Sequence, residues 1–163
     1  MTLSLLILSA VTLQRLGELW LSGRNTARLK ARGGFEVGRD HYPLIVGVHV
    51  GWLAALWLLG WNRAVSLPWL GAYLALQGLR AWVMLSLGRR WTTRILILPD
   101  APLVSRGPYR LLRHPNYAVV IGEIFVLPMV FGLPATAIVF SLLNAAVLCL
   151  RVCREELALR PGR

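Results

Sequence analysis

The residues able to do chemistry in this chain are concentrated in two places. Twelve residues, Arg106-Gly107-Pro108-Tyr109-Arg110-Leu111-Leu112-Arg113-His114-Pro115-Asn116-Tyr117, set three arginines, a histidine, two tyrosines, two prolines and a glycine between apolar runs. Further on, Arg151 and Glu155 stand four apart, on one face of any helix that carries both. Pro108 suits the start of a short helix, Tyr109–Arg113, which must end near His114 because Pro115 disfavours helical geometry in the residue before it. Pro115 then opens a second helix. His114 therefore sits at a helix N-terminus, where backbone N–H groups without helical partners attract anions. The carboxylate of an amino-acid-like cofactor fits there. Tyr109 and Tyr117 offer aromatic faces to an adenine or a sulfonium cation. Glu155 offers acceptors for ribose hydroxyls or an α-amino group, and Arg151 can orient an anionic oxygen. The plainer accounts are lipid-headgroup contacts for Arg106 and Arg110 and a solvated Arg151–Glu155 pair.

The elements that must position these groups are apolar. Of 163 residues, 56 % are hydrophobic and 15 % charged, a membrane composition rather than that of a soluble domain. Five apolar segments meet a membrane-span criterion: Met1–Leu21, Leu44–Gly60, Leu67–Leu87, Tyr117–Phe131 and Pro134–Leu150. The expected fold is all-α and polytopic, one domain over residues 1–163, ending in a tight helical hairpin about Gly132-Leu133. The fourth segment reaches only about 22 Å and suits a thinned or partly penetrated bilayer. The first lacks a basic region ahead of its apolar run, so it reads as a retained helix and not a cleaved signal.

A net charge of +11 would suggest nucleic acid in a soluble protein. Here the cations lie in short segments between the spans, so no nucleic-acid partner is expected. With the N-terminus outside, the inner segments receive 15 of the 18 lysines and arginines, all but Arg15, Arg63 and Arg80. That bias predicts a cytoplasmic motif and C-terminus, in what reads as a bacterial inner membrane. Arg15, Glu18, His49, Arg80, Glu123 and Asn144 all fall within spans, towards the inner side. Ionisable groups at that depth are costly and usually line a cavity or pair together, which points to a polar chamber. The alternative is a local Arg15–Glu18 pair with a snorkelling Arg80. Cys149 and Cys153 are too awkwardly spaced on one helix for a disulfide. They read as reduced apolar side chains, with palmitoylation as the alternative. No metal site is expected.

The pattern G-P-Y-R-x-x-R-H-P-N-Y, followed by an apolar hairpin and Arg151-x-x-x-Glu155-Glu156, resembles the isoprenylcysteine carboxyl methyltransferase family. The likeness covers about residues 90–157, and the first half of the chain looks like a bacterial branch, some of whose members are associated with alkylpyrone and alkylresorcinol synthesis. It implies an integral-membrane enzyme that uses S-adenosyl-L-methionine. Carried over residue by residue, it implies cofactor contacts at Leu103, Val104, Tyr109, His114, Pro115, Asn116, Tyr117 and Glu155, with Arg151 near the methyl acceptor.

The expected activity is methyl transfer to an oxygen of a lipophilic small molecule. A carboxylate or an acidic enol is already ionised and needs mainly positioning. A phenol, with a pKa of about 10, needs a base, and His114 is the candidate. Two other readings stay open: an NADPH-dependent membrane reductase of the steroid-reductase type, and a non-enzymatic transporter or assembly protein whose basic motif meets membrane lipids. Rossmann binding is not expected, because no glycine fingerprint follows a strand.

Overall fold

The computed structural model describes residues 2–99, 101–102 and 104–159, without the side chains of Thr2, His41 and residues 153–159. Five helices account for most of it: α1 (Thr2–Ala31), α2 (Tyr42–Gly60), α3 (Leu67–Leu87), α4 (Pro115–Val130) and α5 (Pro134–Leu159). Four of them carry a proline in the first turn, Pro43 of α2 among them. Pro68, Pro115 and Pro134 are the others, and a missing N–H costs nothing there. Four helices are long and apolar enough to cross a membrane; α4, with 16 residues, is the short one. The all-α polytopic architecture is the one expected.

The boundaries differ in instructive ways. The first helix continues ten residues beyond Leu21, through Arg24, Arg28 and Lys30, because only the hydrophobic run, and not helicity, ends there. The last helix likewise runs to Leu159 rather than Leu150. The expected short helix at Tyr109–Arg113 is a 3-10 turn at Gly107–Arg110 instead. The turn ends early because Leu111 and Leu112 both bond back to the Pro108 carbonyl, at 3.1 and 3.0 Å, and Pro115 bars helical geometry just beyond. The hairpin at Gly132-Leu133 forms as expected, with both amide groups bonded to the last turn of α4.

One element carries no signal in the sequence. Phe35–Val37 (β1) pairs antiparallel with Ile95–Ile97 (β2), Glu36 opposite Leu96. Three residues per strand are too few to show alternation. This small ribbon ties the loop after α1 to the loop after α3.

The core divides by depth. Leu8, Val11, Trp52, Leu56, Tyr73, Ile124, Leu127, Val130 and Phe131 form the larger cluster. A smaller one, Val83, Trp91 and Val119 with Tyr109 packed against it, sits towards the ribbon. Helices α3 and α4 meet closely: a Cβ at Gly122 would lie 2.9 Å from a Leu76 methyl. Leu6, Leu13, Leu58, Leu85 and Leu142 are all more than half exposed. Such an apolar exterior suits hydrocarbon as the surrounding medium, not water.

Candidate functional site at the ribbon end of the bundle

The C-terminal ends of α1, α3 and α5 and the N-terminus of α4 gather at one end. The motif loop is fastened to α3 there. Arg106 Nε donates to the Ser86 carbonyl at 3.0 Å. Gly107 has φ +60, and a Cβ at that position would sit 2.2 Å from Ser86 Oγ. Glycine is required on both counts, conformation and space. The turn places Tyr109 against Val83, Trp91 and Val119.

His114 caps α4 through its carbonyl, to which the amides of Tyr117 and Ala118 donate. Its ring stacks on Tyr117, with centroids 5.2 Å apart and planes 17° off parallel. Arg151 reaches the same tyrosine from α5: its Nε donates to the Tyr117 hydroxyl at 3.0 Å. Arg151 is itself buried, 8 % exposed. Pro115 is buried at the helix start. Next to it, Asn116 Oδ1 is buried, and among the described residues no donor reaches it. A buried acceptor without a partner is costly.

Of the expected site residues, His114, Pro115, Asn116, Tyr117 and Arg151 are thus brought together, and Tyr109 lies against the adjoining cluster. Val104 lies half-buried in the loop before the turn. Leu103 and the side chain of Glu155 lie outside the described residues. Trp91 was not anticipated. It is 2 % exposed, and its indole N–H has no acceptor among the described residues.

Deeper in the bundle, Arg15, Glu18, Arg80 and Glu123 form one network with Gln14 and Gln77. Arg80 donates to both carboxylate oxygens of Glu18, at 2.5 and 2.6 Å, and to Glu123 at 2.5 Å. Arg15 bridges the same two carboxylates at 3.0 and 2.9 Å. Gln14 donates to Glu18 and Gln77, and Gln77 donates to Glu123. Arg80 does not snorkel; it is 6 % exposed and held from two sides. The cluster carries two positive and two negative charges, so its formal charge cancels, as burial demands. His49 bonds instead to the Ile45 carbonyl, and Asn144 is buried on α5. Gln14 and Gln77 were missed, although two glutamines inside apolar spans are a legible signal.

The ribbon carries a third constellation. Glu36 accepts from Lys30 at 2.8 Å and Arg94 at 2.5 Å, and the Arg94 guanidinium lies 4.1 Å from the centre of the Tyr42 ring. Burial pushes the Glu36 carboxyl up, but the bonds from Lys30 and Arg94 outweigh it and hold it below the ordinary carboxylate range. A small crevice lined by Glu36, Tyr42, Ile45 and Arg94 also touches Arg151. The ribbon therefore abuts the residue that meets Tyr117. Among the described residues no group of three metal-ligating side chains occurs.

Apolar helices of spanning length around a neutralised charge cluster, closed at one end by a cationic and aromatic motif, define a polytopic integral membrane protein. The chain belongs to the isoprenylcysteine carboxyl methyltransferase family, which it matches over residues 69–161. It is 37 % identical over 160 residues to the uncharacterized protein YpbQ of Bacillus subtilis (strain 168), covering 95 % of both chains. It is 26 % identical over 152 residues to an uncharacterized protein of Haemophilus influenzae, covering 89 % of this chain and 88 % of that one. No solved structure matches it.

Proposed function

We propose that this chain is an S-adenosyl-L-methionine-dependent methyltransferase acting on an oxygen (carboxylate, enol or phenol) of a lipophilic acceptor. The observation that carries this is the Arg151–Tyr117 bond. It joins the residue expected to hold the acceptor to the segment expected to hold the cofactor.

The residues present fit such a cofactor. Asn116 Oδ1 is a buried acceptor awaiting a donor such as an ammonium or amine group. The first turn of α4 supplies backbone N–H groups suited to a carboxylate, and Tyr109 and Tyr117 supply ring faces suited to a base or a cation. When bound, S-adenosylmethionine supplies an electrophilic methyl group on a sulfonium. The His114 ring stacked on Tyr117 and the Arg151 Nε bonded to its hydroxyl hold the tyrosine in one orientation. Arg151 orients and partly neutralises the acceptor oxygen, a positioning task that burial strengthens by excluding water. Leu103, Val104 and Glu155 complete the cofactor contacts that family membership suggests. His114 either shapes the cofactor site or takes a proton from a weakly acidic acceptor.

Saturable thermal stabilisation of the purified protein by S-adenosylhomocysteine, without any by NADPH, is the test. The reverse result would favour a reductase. We place the site on the cytoplasmic side of a bacterial inner membrane, the N-terminus outside, because the cations cluster with it. Reporter fusions at residues 1, 63 and 163 should read outside, outside and inside. A C-terminus on the outer side would refute that orientation.

A further inference from the structure

The narrow crevice at the ribbon brings together side chains from four parts of the chain. Glu36 comes from β1, Tyr42 from the start of α2, Arg94 from the residue before β2, and Arg151 from α5. Their charges do not balance. Arg94 and Arg151 each bring a guanidinium, and Glu36 brings the one carboxylate of the lining. That carboxylate is already divided, with one oxygen accepting from Arg94 and the other from Lys30. Arg151 is 8 % exposed. Among the described residues its one hydrogen bond goes to a neutral group, the Tyr117 hydroxyl. A guanidinium so deeply buried without an anion is costly, so the crevice lacks a negative charge on the Arg151 side.

Arg94 is held firmly and yet keeps donors to offer. One Nη bonds Glu36, and the guanidinium lies 4.1 Å from the centre of the Tyr42 ring, a cation–π contact that fixes its plane. Tyr42 is anchored in turn, its hydroxyl 3.0 Å from that of Thr93, which lies 2.8 Å from the Ser22 hydroxyl of α1. Nε and the second Nη of Arg94 carry no bond among the described residues, and the side chain, one-third exposed, has room to yield on its solvent side. From this we infer that Arg94 is a second cation of the acceptor site, sharing with Arg151 the negative charge of the bound acceptor, and that Glu36 and Tyr42 are its positioning residues. The inference rests on the methyltransferase reading for the identity of the occupant. It narrows the acceptor to a group that is ionised when bound, because a neutral hydroxyl would leave two guanidiniums facing one divided carboxylate. Glu36 and Tyr42 precede the segment matched by the family, so part of this recognition lies outside the shared motif.

The probes are hexadecanesulfonate, ionised at every working pH, and neutral hexadecanol, titrated against the full chain in phosphatidylcholine nanodiscs after subtraction of partition into empty ones. The sulfonate should bind at least about tenfold more tightly than the alcohol. Arg94→Gln should remove about tenfold of the sulfonate's affinity and leave those for hexadecanol and S-adenosylhomocysteine within about threefold. Arg94→Lys, which keeps the charge without the planar fork, should fall between the two. Arg39→Gln removes an exposed cation of the same loop that does not line the crevice and should change nothing. No preference for the sulfonate, or a preference undiminished by Arg94→Gln, would overturn the inference without touching the methyltransferase reading. So would equal losses in Arg94→Gln and Arg39→Gln, which would assign the effect to general surface charge. Loss of all three ligands in both Arg94 variants would give Arg94 a structural role and overturn it too. An Arg94-dependent preference in a protein that does not bind S-adenosylhomocysteine would refute the methyltransferase reading, and with it the acceptor as occupant.

Discussion

Arg151 Nε donates to the hydroxyl of Tyr117 over 3.0 Å, and the same guanidinium lies 5.4 Å from the centre of that tyrosine's ring. The two residues are 34 apart in sequence and come from helices joined by the three residues Phe131-Gly132-Leu133. One cation thus fixes both the edge and the face of an aromatic ring at the start of α4. Packing of α4 against α5 holds them in reach.

If Arg151 positions the acceptor, Arg151→Ala should lower turnover at least about tenfold while S-adenosylhomocysteine affinity stays within about threefold. Glu155→Ala should do the opposite, weakening cofactor binding by about 1.5–3 kcal/mol, the value of a charged hydrogen bond. Calorimetry and initial rates on the two variants separate the roles. Equal small effects on both quantities in both variants would assign the pair a structural role.

His114→Ala distinguishes its two roles through pH. If the ring only shapes the site beside Tyr117, raising the pH should not restore the variant. If it accepts a proton from a weakly acidic hydroxyl, rates should recover as that hydroxyl ionises on its own. A pH–rate profile of variant against parent decides between them.

Removing one charge from the buried network should cost more than removing a balanced pair. Glu123→Gln leaves Arg15 and Arg80 facing Glu18 alone and should destabilise by about 3–5 kcal/mol. The double change Glu123→Leu with Arg80→Met restores neutrality and should cost clearly less. Thermal unfolding in one detergent measures both. A double variant that loses as much as the sum of its single changes would mean that the network does not act as a unit.

The ribbon should loosen in acid. Glu36 is held below the ordinary carboxylate range by Lys30 and Arg94. Its pairing therefore stabilises the ribbon fully above that range and is lost as pH falls through and beneath it. Amide protection factors at residues 35–37 and 95–97, which divide out the slower intrinsic exchange in acid, should fall as pH drops through and beneath that range. Glu36→Gln should exchange faster at neutral pH and lose that dependence. A dependence that persists in the variant would assign it to other carboxylates.

Sequence alone determined the helices and their membrane setting, because hydrocarbon demands long apolar runs with satisfied backbones, and such runs are visible without a partner. It also marked the motif from Arg106 to Tyr117, since prolines and glycines restrict local geometry wherever they occur. It placed Arg15, Glu18, Arg80 and Glu123 at a common depth, because hydropathy reports depth along a helix. What hydropathy does not report is the direction in which each residue faces. Only the packing of α1, α3 and α4 showed that Glu18 and Glu123 share two arginines, with Gln14 and Gln77 completing the network. Only the docking of the motif loop on α3 brought Tyr109 to Trp91, and only the fold of α4 on α5 brought Arg151 to Tyr117. The β1–β2 ribbon likewise depends on two loops, 58 residues apart at Glu36 and Arg94, meeting at the same end of the bundle. Contacts of that kind arise from the closure of long loops and from shape complementarity, and no short window of sequence carries either.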